Sequence, residues 1–135
     1  MTKLNIDDHI IEQREYFEQL IQEFPDLEID YEDLENGMVH FNMERFADYT
    51  ISQIKKSDLN KLKSCFYFQE KRINYLSHEL ENALNVSFCE SLLLGEVAKE
   101  MNKFLFYMGP LLRKFYKAYE DYYNNLGNDD NKQRH

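Results

Sequence analysis

The residue types able to do chemistry are sparse in this chain, and their spacing works against them. His9, His40, His78 and His135 never form a pair four residues apart. His78-Glu79 opens the string of a zinc-protease helix, in which two imidazoles one turn apart hold the metal and the glutamate takes a proton from bound water. The second histidine position holds Asn82, so the motif fails. Di-metal helical bundles repeat Glu-x-x-His, and no glutamate here has a histidine three residues later. Cys65 and Cys89 lie far apart in no metal-like spacing, each beside a phenylalanine (Phe66, Phe88), which predicts buried thiols in a reducing compartment. No glycine-rich loop offers itself to phosphate. A calcium loop starting at Asp26 is excluded, because the turn glycine is replaced by Tyr31 and the closing glutamate by Gly37. No catalytic residue, metal or cofactor is assigned. An enzyme would need a pocket built from distant residues, around His40 or His78 with a carboxylate.

Charge placement says more. Residues 1–48 hold fourteen acids against Lys3, Arg14 and Arg45, a net −11, while the other 87 residues carry +2 and the whole chain −9. Residues 23–35 contain seven acids and no base. Such density has two readings. It is a solvated face that keeps the protein dispersed, or a docking surface that attracts a basic protein and makes its binding salt-dependent. On the second reading Glu28, Asp30, Tyr31, Glu32, Asp33 and Glu35 are the contacts, with Tyr31 and Leu34 as apolar anchors among the carboxylates. The acidic balance disfavours nucleic acid as a direct partner. A milder basic stripe, through Lys55, Lys56, Lys61, Lys63, Lys71, Arg72, Arg113, Lys114 and Lys117, reads mainly as decoration of helix exteriors.

These residues must be positioned by helices. With 135 residues, four glycines and two prolines, the chain suits one domain and lacks the turn material of a many-stranded sheet protein. No apolar run reaches the ~18 residues of a membrane span, and the polar N-terminus has no signal-peptide layout, so a cytoplasmic protein is expected. Helical spacing predicts a first helix from Asp7 or Asp8 to about residue 23, ended by Pro25. Residues 26–36 fit either an irregular helix or an extended stretch, closed by Asn36-Gly37. A second helix is expected from Asn42 as N-cap with Phe41 as staple, burying Phe46, Ala47, Thr50, Ile51 and Ile54. The third spans about 58–82 with Gln69 interrupting its apolar seam. Ser87-Phe88-Cys89-Glu90 has the form of a capping box and predicts a central helix carrying Leu92 to Leu105. Gly109-Pro110 starts a last helix, with Phe115, Tyr116, Tyr119, Tyr122, Tyr123 and Leu126 before a stop at Gly127. The expected fold is all-α: a single-domain antiparallel bundle of about five helices over 1–127, an irregular acidic segment after the first, and a flexible tail over 128–135.

The strings Phe24-Pro25-Asp26-Leu27 and Asn82-Ala83-Leu84-Asn85-Val86-Ser87-Phe88-Cys89-Glu90 resemble those of small bacterial helical proteins with no assigned enzymatic activity. In size, acidity and helical character the chain also resembles immunity proteins of contact-dependent growth inhibition and related polymorphic toxin systems. That resemblance implies a cognate basic toxin domain as partner, an RNase or DNase whose active site or substrate groove is blocked, and it transfers no individual residue. The expectation is therefore a monomeric or homodimeric toxin-neutralising protein rather than an enzyme. The alternative is a non-catalytic adaptor or regulatory module using the same face or the tyrosine-rich last helix.

Overall fold

The computed structural model describes residues 9–29 and 38–133, with side chains as far as residue 126. Helix α1 is Gln13–Glu23 and buries Tyr16, Phe17 and Leu20. It begins later than the expected Asp7 or Asp8, which lie outside the described residues. Ile11 explains the delay. Its N–H donates to Tyr75 O (2.7 Å) and its carbonyl accepts from Ser77 N–H (2.9 Å), a parallel bridge that holds this stretch extended. Ile10, which helical spacing would place with Phe17, Leu20, Ile21 and Phe24, is 50% exposed. Phe24 leaves the helical conformation immediately before Pro25, as expected.

Helix α2, Val39–Lys56, buries all five expected residues, Phe46, Ala47, Thr50, Ile51 and Ile54. Its start is a correction. Asn42 is not the N-cap but a buried residue of the helix, with its N–H on Met38 O (2.8 Å), and Phe41 faces outward beneath the Arg45 guanidinium. Val39 and Met43 continue the apolar stripe one turn back, so the helix gains burial by starting earlier. Ser57 then adopts φ 60°, the left-handed stop that lets Asp58 N–H reach Gln53 O (2.9 Å).

Asp58 accepts from Lys61 N–H (3.1 Å) and caps α3, Leu59–Arg72. The expected continuous helix over 58–82 is broken by a 3-10 turn at Ile73–Tyr75 and by extended Leu76, the residue bridged to Ile11. Ser77 caps the next helix by accepting from Leu80 N–H (3.3 Å). That helix, α4, covers 78–94 in three stretches: His78–Ala83, a π-helical turn at Leu84–Cys89, and Glu90–Leu94. The expected capping box at Ser87 is therefore overturned. Ser87 sits inside the π turn, buried, with Oγ 2.9 Å from His40 Nδ1. The wider turn directs Leu84, Phe88, Cys89 and Leu92 inward, and this helix packs closely along α2.

α4 ends at Gly95, whose backbone turns extended and passes so close to Ser91 O that a Cβ there would lie 2.3 Å from it. The expected central helix over Leu92–Leu105 is thus divided. Its second part, α5 (98–107), alternates 3-10, α and 3-10 geometry, burying Val97 just before it and Met101 within it, while Leu94 is left 46% exposed. Pro110 opens α6, Pro110–Gln133, at the expected residue. The helix runs through Gly127 rather than stopping there, since a glycine within a helix costs only about 1 kcal/mol and does not by itself end it.

The centre is aromatic. Phe46 packs against Phe24, Phe68 and Phe88 with ring centroids 5.3–5.8 Å apart, and Tyr16 meets Phe17 and Phe68 edge to face. One polar network lies within it: Tyr16 Oη donates to Gln69 Oε1 (2.7 Å), so the residue that interrupts the seam of α3 is fully buried and engaged. The chain is one all-α domain of six packed helices with no strand among the described residues. The sixth helix, beyond the five expected, arises from the breaks at Leu76 and Gly95.

Candidate partner-binding surface

Pro25 turns the chain across α2, and three hydrogen bonds and two buried side chains fix it there. Leu27 N–H donates to Phe24 O (3.0 Å), and Leu27 and Ile29 insert into the core. Tyr49 Oη donates to Asp26 Oδ1 (2.8 Å), while Arg45 Nη1 donates to Glu28 O (2.6 Å). The result is an open notch of about 280 Å³ lined by Asp26, Leu27, Glu28, Arg45, Asp48 and Tyr49. Asp26, Glu28 and Asp48 are exposed, as are neighbouring Glu23 and Glu44. The Tyr49 hydroxyl, with Lys61 Nζ 3.7 Å from Oδ2 as a weaker influence, holds the Asp26 carboxyl below the usual range. Burial first, then the bond to Asp26, pushes the Tyr49 phenol up. The notch is an acidic shoulder with an aromatic floor, able to receive a lysine or arginine stem and pair its head.

Of the six contacts expected from sequence, Glu28 lies exposed on the rim of this notch. Asp30, Tyr31, Glu32, Asp33 and Glu35 lie outside the described residues. Sequence reasoning missed Asp48 and Glu44 as members of the surface. Their signal was present: both fall on the face of α2 opposite Phe46, Ala47 and Thr50, and they are one turn apart.

Among the described residues the chemistry-bearing groups do not converge on one site, and His9 Nε2 meets Glu15 Oε1 (2.9 Å) on the exposed surface of α1. Cys65 and Cys89 are free and buried, and burial pushes both thiols up to about 12, far from a reactive thiolate at neutral pH. His78 borders a hollow of about 370 Å³ whose other walls, Glu79, Glu81, Asn82 and Asn85, belong to the same helix. His40 pairs with Ser87, a hydroxyl only 5% exposed. No group of three or more His, Cys, Asp or Glu among the described residues is placed to hold a metal ion. A larger hollow of about 420 Å³ lies between α3 and the turn into α6, but its acid, Glu70, accepts from both Leu111 N–H (3.0 Å) and Leu112 N–H (2.8 Å) and serves as the cap of α6. The basic stripe is drawn into similar structural contacts, with Lys63 over Tyr107, Lys71 over Tyr67, Arg72 over Phe68, and Arg113 on the Met108 carbonyl. No described helix is long and apolar enough to cross a membrane.

No curated protein and no solved structure matches the chain. One family model does, over residues 17–124, and it spans all six helices from within α1 to within α6. The chain belongs to that family, described as a domain of unknown function (DUF7674).

Proposed function

We propose that this protein is a non-catalytic inhibitor that captures a basic protein partner on its acidic shoulder, and that the partner is a toxin domain, a nuclease being the kind best matched. The observation that carries the reading is the notch of Asp26, Glu28, Asp48 and Tyr49, formed where the chain after Pro25 crosses α2 within the most acidic stretch of the sequence. A nuclease holds phosphates with lysine and arginine, and a surface that presents carboxylates around an aromatic floor competes for those same side chains. Glu28 forms one edge of the contact, and Asp30, Tyr31, Glu32, Asp33 and Glu35 continue it. Occlusion of the substrate groove requires no catalytic group on the inhibitor.

The test is protection. Tagged protein is used as bait in its native cells at low and high salt, and the stoichiometric partner is identified by mass spectrometry. That partner is then expressed with and without the chain. A basic partner whose toxicity the chain abolishes, and which a Glu28→Lys/Asp48→Lys variant no longer restrains, is the expected result. A partner with no toxicity to neutralise would make the same surface that of an adaptor. Capture at equal strength by the charge-reversed variant would remove the shoulder from the account.

A further inference from the structure

Helix α6 has two halves with different surroundings. In the first, Leu112 and Tyr116 are buried in the core, and Tyr119 marks the edge with its hydroxyl donated to Glu90 Oε2 (2.7 Å). Beyond Tyr119 the helix continues for fourteen residues to Gln133, about 21 Å at 1.5 Å per residue. Tyr122, Tyr123 and Leu126 there are 57%, 43% and 44% exposed. With Tyr119 they sit at i, i+3, i+4 and i+7, a continuous apolar stripe along one face. The local sequence is a poor helix former. Seven of the eight residues 124–131 are Asn, Asp or Gly. A helix of that composition keeps its form through packing, so the stripe calls for a cover that is always at hand.

We infer that the second half of α6 is the interface of a two-fold homodimer, with the stripe of one copy seated against α4 and α6 of the other. The patch has the self-complementary form such an interface needs. Beside the ridge of Tyr122, Tyr123 and Leu126 lies a hollow of about 310 Å³, lined by Asn82, Asn85, Val86, Ala118, Tyr119 and Tyr122. Ridge and hollow on one patch let each copy give and receive the same contact. Charge opposes the approach rather than driving it: residues 120–133 hold Glu120, Asp121, Asp129 and Asp130 against Lys132, and α4 adds Glu79, Glu81 and Glu90, so the apolar stripe must carry the association and added salt should strengthen it. None of the residues lining the acidic notch comes from α6, which leaves the shoulder open in the dimer.

The area is small but sufficient. With about 200 Å² per aromatic side chain and somewhat less per aliphatic one, the exposed parts of Tyr122, Tyr123, Leu126 and Val86 amount to roughly 350 Å² per copy. Adding the polar rim brings the pair to roughly 1,000 Å², the low end of specific interfaces and the size of weak, reversible ones. The full chain is therefore examined by sedimentation equilibrium from about 1 to 200 µM, a span over which a weak, reversible dimer dissociates. The expected result is the monomer mass at the dilute end and twice that mass at the concentrated end, with helical ellipticity falling by roughly a tenth on dilution as the uncovered half of α6 melts. Tyr122→Asp/Leu126→Asp, which touches only exposed positions, should be monomeric throughout. Monomer mass at every concentration, a larger open-ended assembly, or a dimer untouched by the double variant would each overturn the inference. The unmodified chain alone decides the first two, whatever the variant does.

Discussion

Tyr16 and Gln69 offer a quantitative test of how the core is held. Both are fully buried, and the Tyr16 hydroxyl donates to Gln69 Oε1 at 2.7 Å, with Met43 Sδ 3.6 Å from the same hydroxyl. Burial above all holds the phenol's pKa well above its ordinary value, so the group is a donor throughout the working pH range. Tyr16→Phe removes the donor and strands a buried amide oxygen, costing about 1–3 kcal/mol. Gln69→Leu strands the hydroxyl instead, at about the same cost. The double variant removes both polar partners and leaves an apolar seam from Leu62 through Phe66 to Ile73, so its loss should be no greater than that of either single variant. The coupling energy is then at least the size of one single loss, about 1–3 kcal/mol. At roughly 3–4 °C per kcal/mol for a domain of this size, each single variant loses about 6–8 °C in melting temperature near the middle of its range. Urea and thermal denaturation followed by circular dichroism give all four corners of the cycle. Losses that simply add, within about 0.5 kcal/mol, would mean that the two groups do not act as a pair and would refute the reasoning.

Three further outcomes follow from other contacts. Glu70→Gln retains one acceptor of two at the start of α6 and should cost about 1 kcal/mol; Gly109→Ala, whose Cβ would fall 2.3 Å from Glu70 Cδ, should displace the same cap and lose a similar amount, both read as shifts in denaturation midpoint. Cys65 and Cys89, with thiols raised to about 12, should resist a disulfide reagent at pH 8 in the folded protein and react at the unfolding rate; fast labelling of either would contradict their burial. Asp26 titrates below the usual carboxylate range, so its pairing with Tyr49 supports the fold above about pH 4 and is lost as pH falls through that lowered pKa. Tyr49→Phe should return the Asp26 carboxyl toward its ordinary range in an NMR titration, and an unmoved titration would show that the hydroxyl is not the cause.

Local signals announced part of this fold. The spacing of Phe46, Ala47, Thr50, Ile51 and Ile54 identified the inner face of α2, and Pro25, Asp58 and Pro110 marked turns because their effect is on the adjacent backbone itself. The misread boundaries share a different cause. Ser77 and Ser87 are both serines near the start of an apolar run, and Ser87 has the better capping-box string. What selects Ser77 is the bridge between Ile11 and Leu76, across more than sixty residues, while Ser87 is held inside a π turn by His40. Gln69 read as an interruption of the seam, although a buried amide is tolerated where a partner such as the Tyr16 hydroxyl reaches it, and Asn42 read as a cap although it is buried within α2. The candidate surface was legible as charge but not as shape. Sequence counts acids over residues 1–48, whereas the notch exists because Tyr49 and Arg45 grip the chain at Asp26 and Glu28.

The central claim concerns the acidic surface and its basic partner, and association kinetics test it most directly. The captured partner is passed over the immobilised parent chain and over Glu32→Lys/Asp33→Lys, each at several ionic strengths. Steering by carboxylates predicts a fast association rate for the parent that drops steeply with salt, and a slower rate with a shallower salt dependence for the double variant, with dissociation much less affected. Equal rates and equal salt slopes for the two proteins would contradict the account and return the acidic segment to a solvated face.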